Sequence, residues 1–364
     1  MLELILMKKS ISNIKNKQYI KKKMLFNPDG DDSLEKRKMI GGDTTNLFNL
    51  TNVKYKWTPV FYRMLMENFW IPEKNDLSVD VKDYLSLDIE IKDVFDNVLS
   101  SLVFLDSLQS NNLPKLCDYV TDPSLSLLLT IQSFQEVIHS QAYAYITSII
   151  DVTRMKFFYE KWRKNKVLKQ RNSFLVQLYQ DFYNNPNNEN FFVMLIADYI
   201  LEGINFYLGF SIFYEITYTL GKLTGTSDII RLIQRDELTH VVLFQNLINI
   251  FCVENSFKID QQIVKNLFIS VVNNEIELFL SFIGNKKSFL SITIEKATEY
   301  IQFLCDNRIQ DLGFKPLFGV KKNSLQYLSH LSDQLQDIRV KSNFFETNVG
   351  KYNMSSAMDD WDKV

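Results

Sequence analysis

Glu136-Val137-Ile138-His139 and Glu237-Leu238-Thr239-His240 are one four-residue pattern written twice, and together they use two of the three histidines in the chain. On a helix, residues three apart share a face about one turn apart, so each phrase offers a carboxylate and an imidazole to a common point. Both phrases lie inside apolar runs that read as helices. A repeated Glu-x-x-His on helices facing inward is the arrangement that holds two metal ions in the core of a four-helix bundle. The expectation is therefore an all-α chain built around a dinuclear metal-carboxylate site.

Working outward from these phrases, Asp122-Pro123 reads as an N-cap followed by proline at the first helical position, opening a helix over about 123–150 that carries Glu136 and His139. A long helix is expected over about 190–220, broken by Gly221 and Gly225. Ser227 or Asp228 then caps the helix of Glu237 and His240. Upstream, helical spacing covers 53–68, ended by Pro72, which pushes Ile71 out of helical geometry. A second pattern covers 88–109, closed by Ser110-Asn111-Asn112 and Pro114. Downstream, helices are expected over 260–284 and 291–311. The charged stretch around Lys161 to Arg171 and the cluster Asn184-Asn185-Pro186-Asn187-Asn188 read as connections. No solenoid-type repeat is present.

A dinuclear site also needs carboxylates from neighbouring helices. Asp106 lies 30 residues before Glu136 and Glu202 lies 35 before Glu237, separations that suit two antiparallel helical hairpins facing one another. Asp106 reads equally as a ligand or as a hydrogen-bonded core acid. Glu202 shares its helix with Asp198 and Glu215, and periodicity does not choose among them. Four ionised carboxylates buried together would repel by about 4 kcal/mol per pair at ~4 Å and an effective dielectric of roughly 20. Two divalent cations with neutral imidazole co-ligands cancel that charge. Carboxylate and imidazole without thiolate suit iron or manganese.

Composition agrees with a soluble helical protein. Only 11 Gly and 7 Pro occur in 364 residues, which favours long, rarely interrupted helices. The net charge of −2 gives no case for nucleic acid or an anionic membrane as partner. Cys117, Cys252 and Cys305 are too few and too scattered for a disulfide framework or a thiolate metal motif, which fits a reducing compartment. The apolar run Met1-Leu2-Glu3-Leu4-Ile5-Leu6-Met7 is too short for a membrane span and lacks the order of a secretory signal. The apolar stretch 191–220 is interrupted by Asp198, Glu202 and Glu215 and reads as a core helix with functional carboxylates. Three regions are expected: a flexible lysine-rich leader over 1–45, a helical domain over 46–330, and a flexible tail over 331–364.

At these residues the chain resembles the small (β) subunit of class I ribonucleotide reductase. The stretches that carry the resemblance are Phe104-Leu105-Asp106-Ser107, Glu136-Val137-Ile138-His139-Ser140-Gln141-Ala142-Tyr143, Leu201-Glu202-Gly203-Ile204-Asn205-Phe206-Tyr207-Leu208-Gly209-Phe210 and Arg235-Asp236-Glu237-Leu238-Thr239-His240. With Phe69-Trp70-Ile71-Pro72-Glu73 it spans roughly residues 40–330. The resemblance implies a ferritin-like bundle with six metal ligands: Asp106, Glu136, His139, Glu202, Glu237 and His240. It implies a pair of iron or manganese ions, a stable radical on Tyr143, and an apolar wall around that radical from Phe206 and Phe210. Trp70 and Asp236 correspond to the relay that carries the radical away past His139.

The segment Asn343-Phe344-Phe345-Glu346-Thr347-Asn348-Val349-Gly350-Lys351-Tyr352 resembles the tail of that family, with Tyr352 as its relay tyrosine. The residues around Trp361 would dock the large (α) subunit, which makes the deoxyribonucleotide; no Gly-rich phosphate loop occurs in this chain. A homodimer, an activating flavoprotein and a cytoplasmic location are further implications. Two rivals share the metal chemistry. A di-metal substrate oxidase would need a substrate channel and no aromatic tail, and an iron store would gain nothing from Tyr143.

Overall fold

The computed structural model describes residues 18–331 of the chain. Eleven α-helices and one short hairpin are found among them. Helix α1 is Thr58–Glu67 and α2 is Ser78–Leu85. Between them Ile71 is extended, with φ −119° and ψ 118°, as the proline that follows it requires. The long helices α3 (Ile89–Cys117) and α4 (Pro123–Asp151) form the first hairpin. Asp122 caps α4 by accepting from the backbone N–H groups of Ser124 and Leu125 at 2.9 and 3.1 Å.

Helix α3 runs two turns past its expected end. Ser110 Oγ and Asn111 Nδ2 donate to the carbonyls one turn back, of Asp106 and Ser107, and Asn112 is buried with its amide on Asp198. Polar residues that usually signal a break are thus absorbed by the helix itself. Pro114 sits in the last turn, where its missing N–H costs one bond only.

The charged connection expected after α4 is two further helices, α5 (Met155–Lys164) and α6 (Lys166–Asn184). Leu168, Leu175, Leu178, Tyr179 and Phe182 recur at helical spacing and are buried, while the lysines between them face outward.

The second hairpin joins α7 (Asn188–Ile200), a π turn (Leu201–Asn205), α8 (Tyr207–Leu220) and α9 (Thr224–Glu254). The single helix expected over 190–220 is therefore interrupted. Gly221, at φ +64°, ends α8. Helix α9 begins three residues before the expected cap, because its first N–H groups are satisfied from elsewhere: Asp80 of α2 accepts from Gly225 N at 3.1 Å and from Thr226 N at 2.6 Å. Gly225 lies inside α9, where an added Cβ would stand 2.4 Å from the Asp76 carbonyl oxygen.

Helices α10 (Gln261–Ile283) and α11 (Ile294–Asp311), joined by strands β1 (Ser288–Phe289) and β2 (Ile292–Thr293), pack against this frame.

Residues 18–45, expected as part of a free leader, have irregular backbone but lie against the body. Ile20, Met39 and Ile40 are buried, and backbone bonds run from Ile20 N to Pro186 O, Lys23 N to Asp118 O and Thr121 N to Met39 O. Turn residues did mark the absence of helix; three apolar side chains anchor the strap. Among the described residues two stretches are long and apolar enough to cross a membrane. Asn188–Leu220, the more apolar, is wholly buried inside the protein, as a core element is. Tyr352 and Trp361 lie outside the described residues.

Candidate metal centre

Four elements aim side chains at one point: α3 brings Asp106, α4 brings Glu136 and His139, the π turn brings Glu202, and α9 brings Glu237 and His240. All six are fully buried. They form two groups of possible ligand atoms, Asp106, Glu136, His139, Glu237 and Glu136, Glu202, Glu237, His240, each lying within 4.8 Å. The groups share Glu136 and Glu237, so these two carboxylates could serve both. Nδ1 of His139 lies 3.2 Å from Asp106 and 3.0 Å from Glu237. Nδ1 of His240 lies 2.9 Å from Glu237, 3.1 Å from Glu136 and 3.5 Å from Glu202.

Hydrogen bonding does not satisfy this cluster. Both oxygens of Asp106 and of Glu136, Oε2 of Glu202, Oε1 of Glu237 and Nδ1 of His139 are buried without a hydrogen-bond partner. Leaving so many polar atoms unpaired is costly, and divalent cations at this point are their natural complement. Four carboxylates and two imidazoles fit iron or manganese.

Protons occupy the same place in the metal-free chain. Burial pushes Asp106 up to about 8, and it raises Glu202 far above the carboxylate range, helped by the charges of Glu136 and Glu237. Burial acts against the charged form of Glu237 too, but the His139 and His240 imidazolium charges hold that carboxyl well below its usual range. Both imidazoles, opposed by burial, are kept protonated well above their ordinary range chiefly by Glu237. Metal must displace these protons, so affinity is expected to rise with pH up to and through about 8. Manganese(II) titrations between about pH 6 and 9, with calorimetry in buffers of different ionisation enthalpy, should show tighter binding at the alkaline end and net proton release.

The outward nitrogens of both histidines are held in place. His139 Nε2 is 3.3 Å from Asp236 Oδ2, and the same oxygen accepts from the Trp70 indole at 2.8 Å. Arg235 grips the other Asp236 oxygen at 3.0 and 3.1 Å. His240 Nε2 meets Gln135 Oε1 at 2.9 Å, and the Gln135 amide donates onward to the Leu65 carbonyl. Such partners fix imidazole orientation and ligand basicity. Glu202 Oε1 accepts from Gln109 and from Gln132, the latter at 2.9 Å.

The three glutamines and Arg235 were not singled out in the sequence. The signal was there for two of the glutamines: Gln109 is one turn after Asp106 and Gln132 one turn before Glu136, so they share the inward face.

Of the competing acids, Asp198 accepts from Tyr179 at 2.7 Å and from Asn112 at 3.2 Å, and burial pushes it up to about 7. Glu215 accepts from Ser291 N and the Tyr327 hydroxyl. Neither belongs to the ligand groups.

Tyr143 stands one turn past His139 and is fully buried, its hydroxyl without a hydrogen-bond partner. Burial and then the charge of Asp106 raise its pKa far above the ordinary phenol value, so the phenol is neutral and close to the carboxylate cluster. Phe206 and Phe210, both buried, stack with centroids 5.7 Å apart and planes 7° from parallel.

Residues 47–324 match the family model "Ribonucleotide reductase, small chain". The ribonucleoside-diphosphate reductase subunit beta of Treponema pallidum is 37% identical over 347 residues, 94% of this chain and 97% of that one. Among solved structures, the ribonucleotide reductase R2 subunit from Clostridium botulinum superposes with TM-score 0.81 at 39% identity, covering 86% of this chain and 99% of its own. The dimanganese(II)-NrdF of Streptococcus sanguinis, at 21% identity and TM-score 0.68 over 79% of this chain and 98% of its own, shares the fold.

Proposed function

Because the chain belongs to the small-chain family of ribonucleotide reductases, we infer that its buried cluster holds two metal ions and that Tyr143 stores the radical they generate. The family role is to form a radical and transfer it to a large subunit that reduces ribonucleotides, so this is the small subunit of a ribonucleoside-diphosphate reductase. Neither an independent substrate oxidase nor an iron store is the role of that family. The observation that carries the site assignment is the set of orphaned carboxylate oxygens, with Nδ1 of His139, packed beside a buried phenol whose hydroxyl has no hydrogen-bond partner.

Bound in this cluster, a reduced pair of iron or manganese ions would supply the oxidising power, after reaction with oxygen or with an oxidant delivered by an activating flavoprotein. The side chains do the rest. Asp106 and His139 would hold one ion and Glu202 and His240 the other, and Glu136 and Glu237 could serve both. Gln109, Gln132, Gln135 and Asp236 orient those ligands. Burial around Tyr143 excludes water and other proton donors, which favours storage over quenching. Phe206 and Phe210 are the proposed apolar wall, Trp70 and Asp236 the exit, and Tyr352 with the residues around Trp361 the continuation to the large subunit. Loading the metal-free chain with ferrous iron in air, or with manganese and its activating flavoprotein, and recording electron paramagnetic resonance tests the assignment: a tyrosyl signal is expected.

Small subunits of this family are soluble, and we place this one in the cytoplasm as a homodimer. The proposed dimer face is an apolar stripe beside the centre: Phe134 and Val137 on α4, 47% and 50% exposed, with Met66, Phe69 and Ile71. Phe69 and Phe134 already stack at 6.1 Å. An exposed apolar stripe on a ligand-bearing helix marks an interaction surface, and a second copy covers it by two-fold symmetry. Val137→Asp combined with Phe134→Asp should convert the dimer to a monomer by light scattering while leaving the helical circular dichroism unchanged.

A further inference from the structure

Glu202 is the one proposed ligand carried on a π turn rather than on α-helix. A π turn admits an extra residue per turn and is locally unfavourable, so it persists where its surroundings impose it. Asn205, the last residue of the turn, donates from Nδ2 to Glu275 Oε1 at 2.6 Å. Glu275 belongs to α10, outside the ligand-bearing elements. Behind it stands Arg171 of α6, with Nε 3.7 Å from the same carboxylate oxygen and Nη2 donating to Ser101 Oγ on α3. Asn205, Glu275 and Arg171 are all buried.

On the opposite flank, Arg308 of α11 donates to the Gly203 carbonyl at 3.3 Å and to the Tyr207 hydroxyl at 3.3 Å. A Cβ at Gly203 would come within 2.9 Å of that guanidinium. The turn is thus gripped from α10 on one side and α11 on the other.

The pairing is a poor stabiliser. Arg171 Nε and Nη1 and Asn205 Oδ1 lack hydrogen-bond partners, and burial alone lowers the Arg171 pKa and raises that of Glu275. A buried ion pair with incomplete hydrogen bonding contributes little to stability; its better use is to select one conformation.

We infer that Asn205 and Glu275, backed by Arg171, form a clamp that sets the π turn and thereby aims the Glu202 carboxylate. They are positioning residues for the half-site of Glu136, Glu202, Glu237 and His240. The inference rests on the dinuclear reading above, and the experiment separates the two.

Manganese(II) is titrated into metal-free wild type, Asn205→Ala, Glu275→Ala and Glu275→Gln, with free ion counted by electron paramagnetic resonance. Melting of each metal-free chain is recorded alongside. Wild type takes up two ions. Asn205→Ala and Glu275→Ala are expected to weaken one binding step by about tenfold, the size typical of losing a partner that orients a ligand, with the other step unchanged. Glu275→Gln keeps an oxygen that accepts from Asn205 and retains most of the affinity, even where its melting temperature falls from the loss of the Arg171 partner. In a chain carrying Asp106→Asn, which cripples the other half-site, Asn205→Ala still weakens the remaining step. Unchanged titrations in Asn205→Ala and Glu275→Ala overturn the clamp. So does an equal loss at both steps that tracks the melting temperature, which is what a merely structural role predicts. A wild type that binds fewer than two ions removes the dinuclear reading itself, and the clamp with it.

Discussion

Tyr143→Phe is expected to eliminate the tyrosyl signal and to lower turnover with the large subunit at least about 1,000-fold, or ~4 kcal/mol of barrier, while metal uptake is unchanged. The size of the effect follows from what the hydroxyl does and does not do. It makes no hydrogen bond and the side chain is fully buried, so phenylalanine fills the same volume and breaks no bond. The fold and the ligand cluster therefore keep their geometry, but the group that can give up an electron and a proton is gone. Electron paramagnetic resonance on iron-loaded wild type and variant, with metal content measured on both, checks this. A tyrosyl signal of wild-type intensity in the variant would place the radical elsewhere; Tyr179, whose hydroxyl donates to Asp198 at 2.7 Å, would be the next residue to replace.

The sequence made the ligand-bearing helices legible because local chemistry and burial agree there. Asp122-Pro123 is both cap and first turn of α4, and the two Glu-x-x-His phrases lie in runs whose buried positions are mostly apolar. What it concealed depends on distant residues or on backbone register. The start of α9 is satisfied by Asp80, about 145 positions earlier, so local capping signals place the cap at least four residues too late. Helices α5 and α6 were hidden because most of their basic residues face solvent, Arg171 excepted, while a narrower apolar stripe faces inward. The π turn has no spelling of its own: periodicity over 190–220 is that of a continuous helix, and only packing from α10 and α11 reveals the extra residue. This is also why periodicity left Asp198, Glu202 and Glu215 unresolved. The fold sends Asp198 to Tyr179, Glu215 to Ser291 and Tyr327, and Glu202 to the cluster.

Replacing Asp236 by alanine should separate storing the radical from using it. Oδ2 of this carboxylate is shared by the Trp70 indole N–H at 2.8 Å and by His139 Nε2 at 3.3 Å, and the two rings stack with centroids 6.3 Å apart. Arg235 fixes the other oxygen and also donates to the Asn68 carbonyl beside Trp70, so the carboxylate cannot swing away. Trp70 is only partly buried, which places it between the ligand cluster and the surface. Alanine removes the acceptor common to indole and imidazole. Because that acceptor also orients His139, metal affinity should fall about 10- to 100-fold, and the comparison belongs at saturating metal. Under those conditions Asp236→Ala is expected to form the Tyr143 signal at near wild-type yield, yet to turn over with the large subunit at least about 100-fold more slowly, roughly 2.7 kcal/mol. Asp236→Asn keeps one acceptor without the charge and should fall between the two. Loss of signal and turnover together at saturating metal would make Asp236 a support for the centre alone, and equal turnover would move the exit away from Trp70.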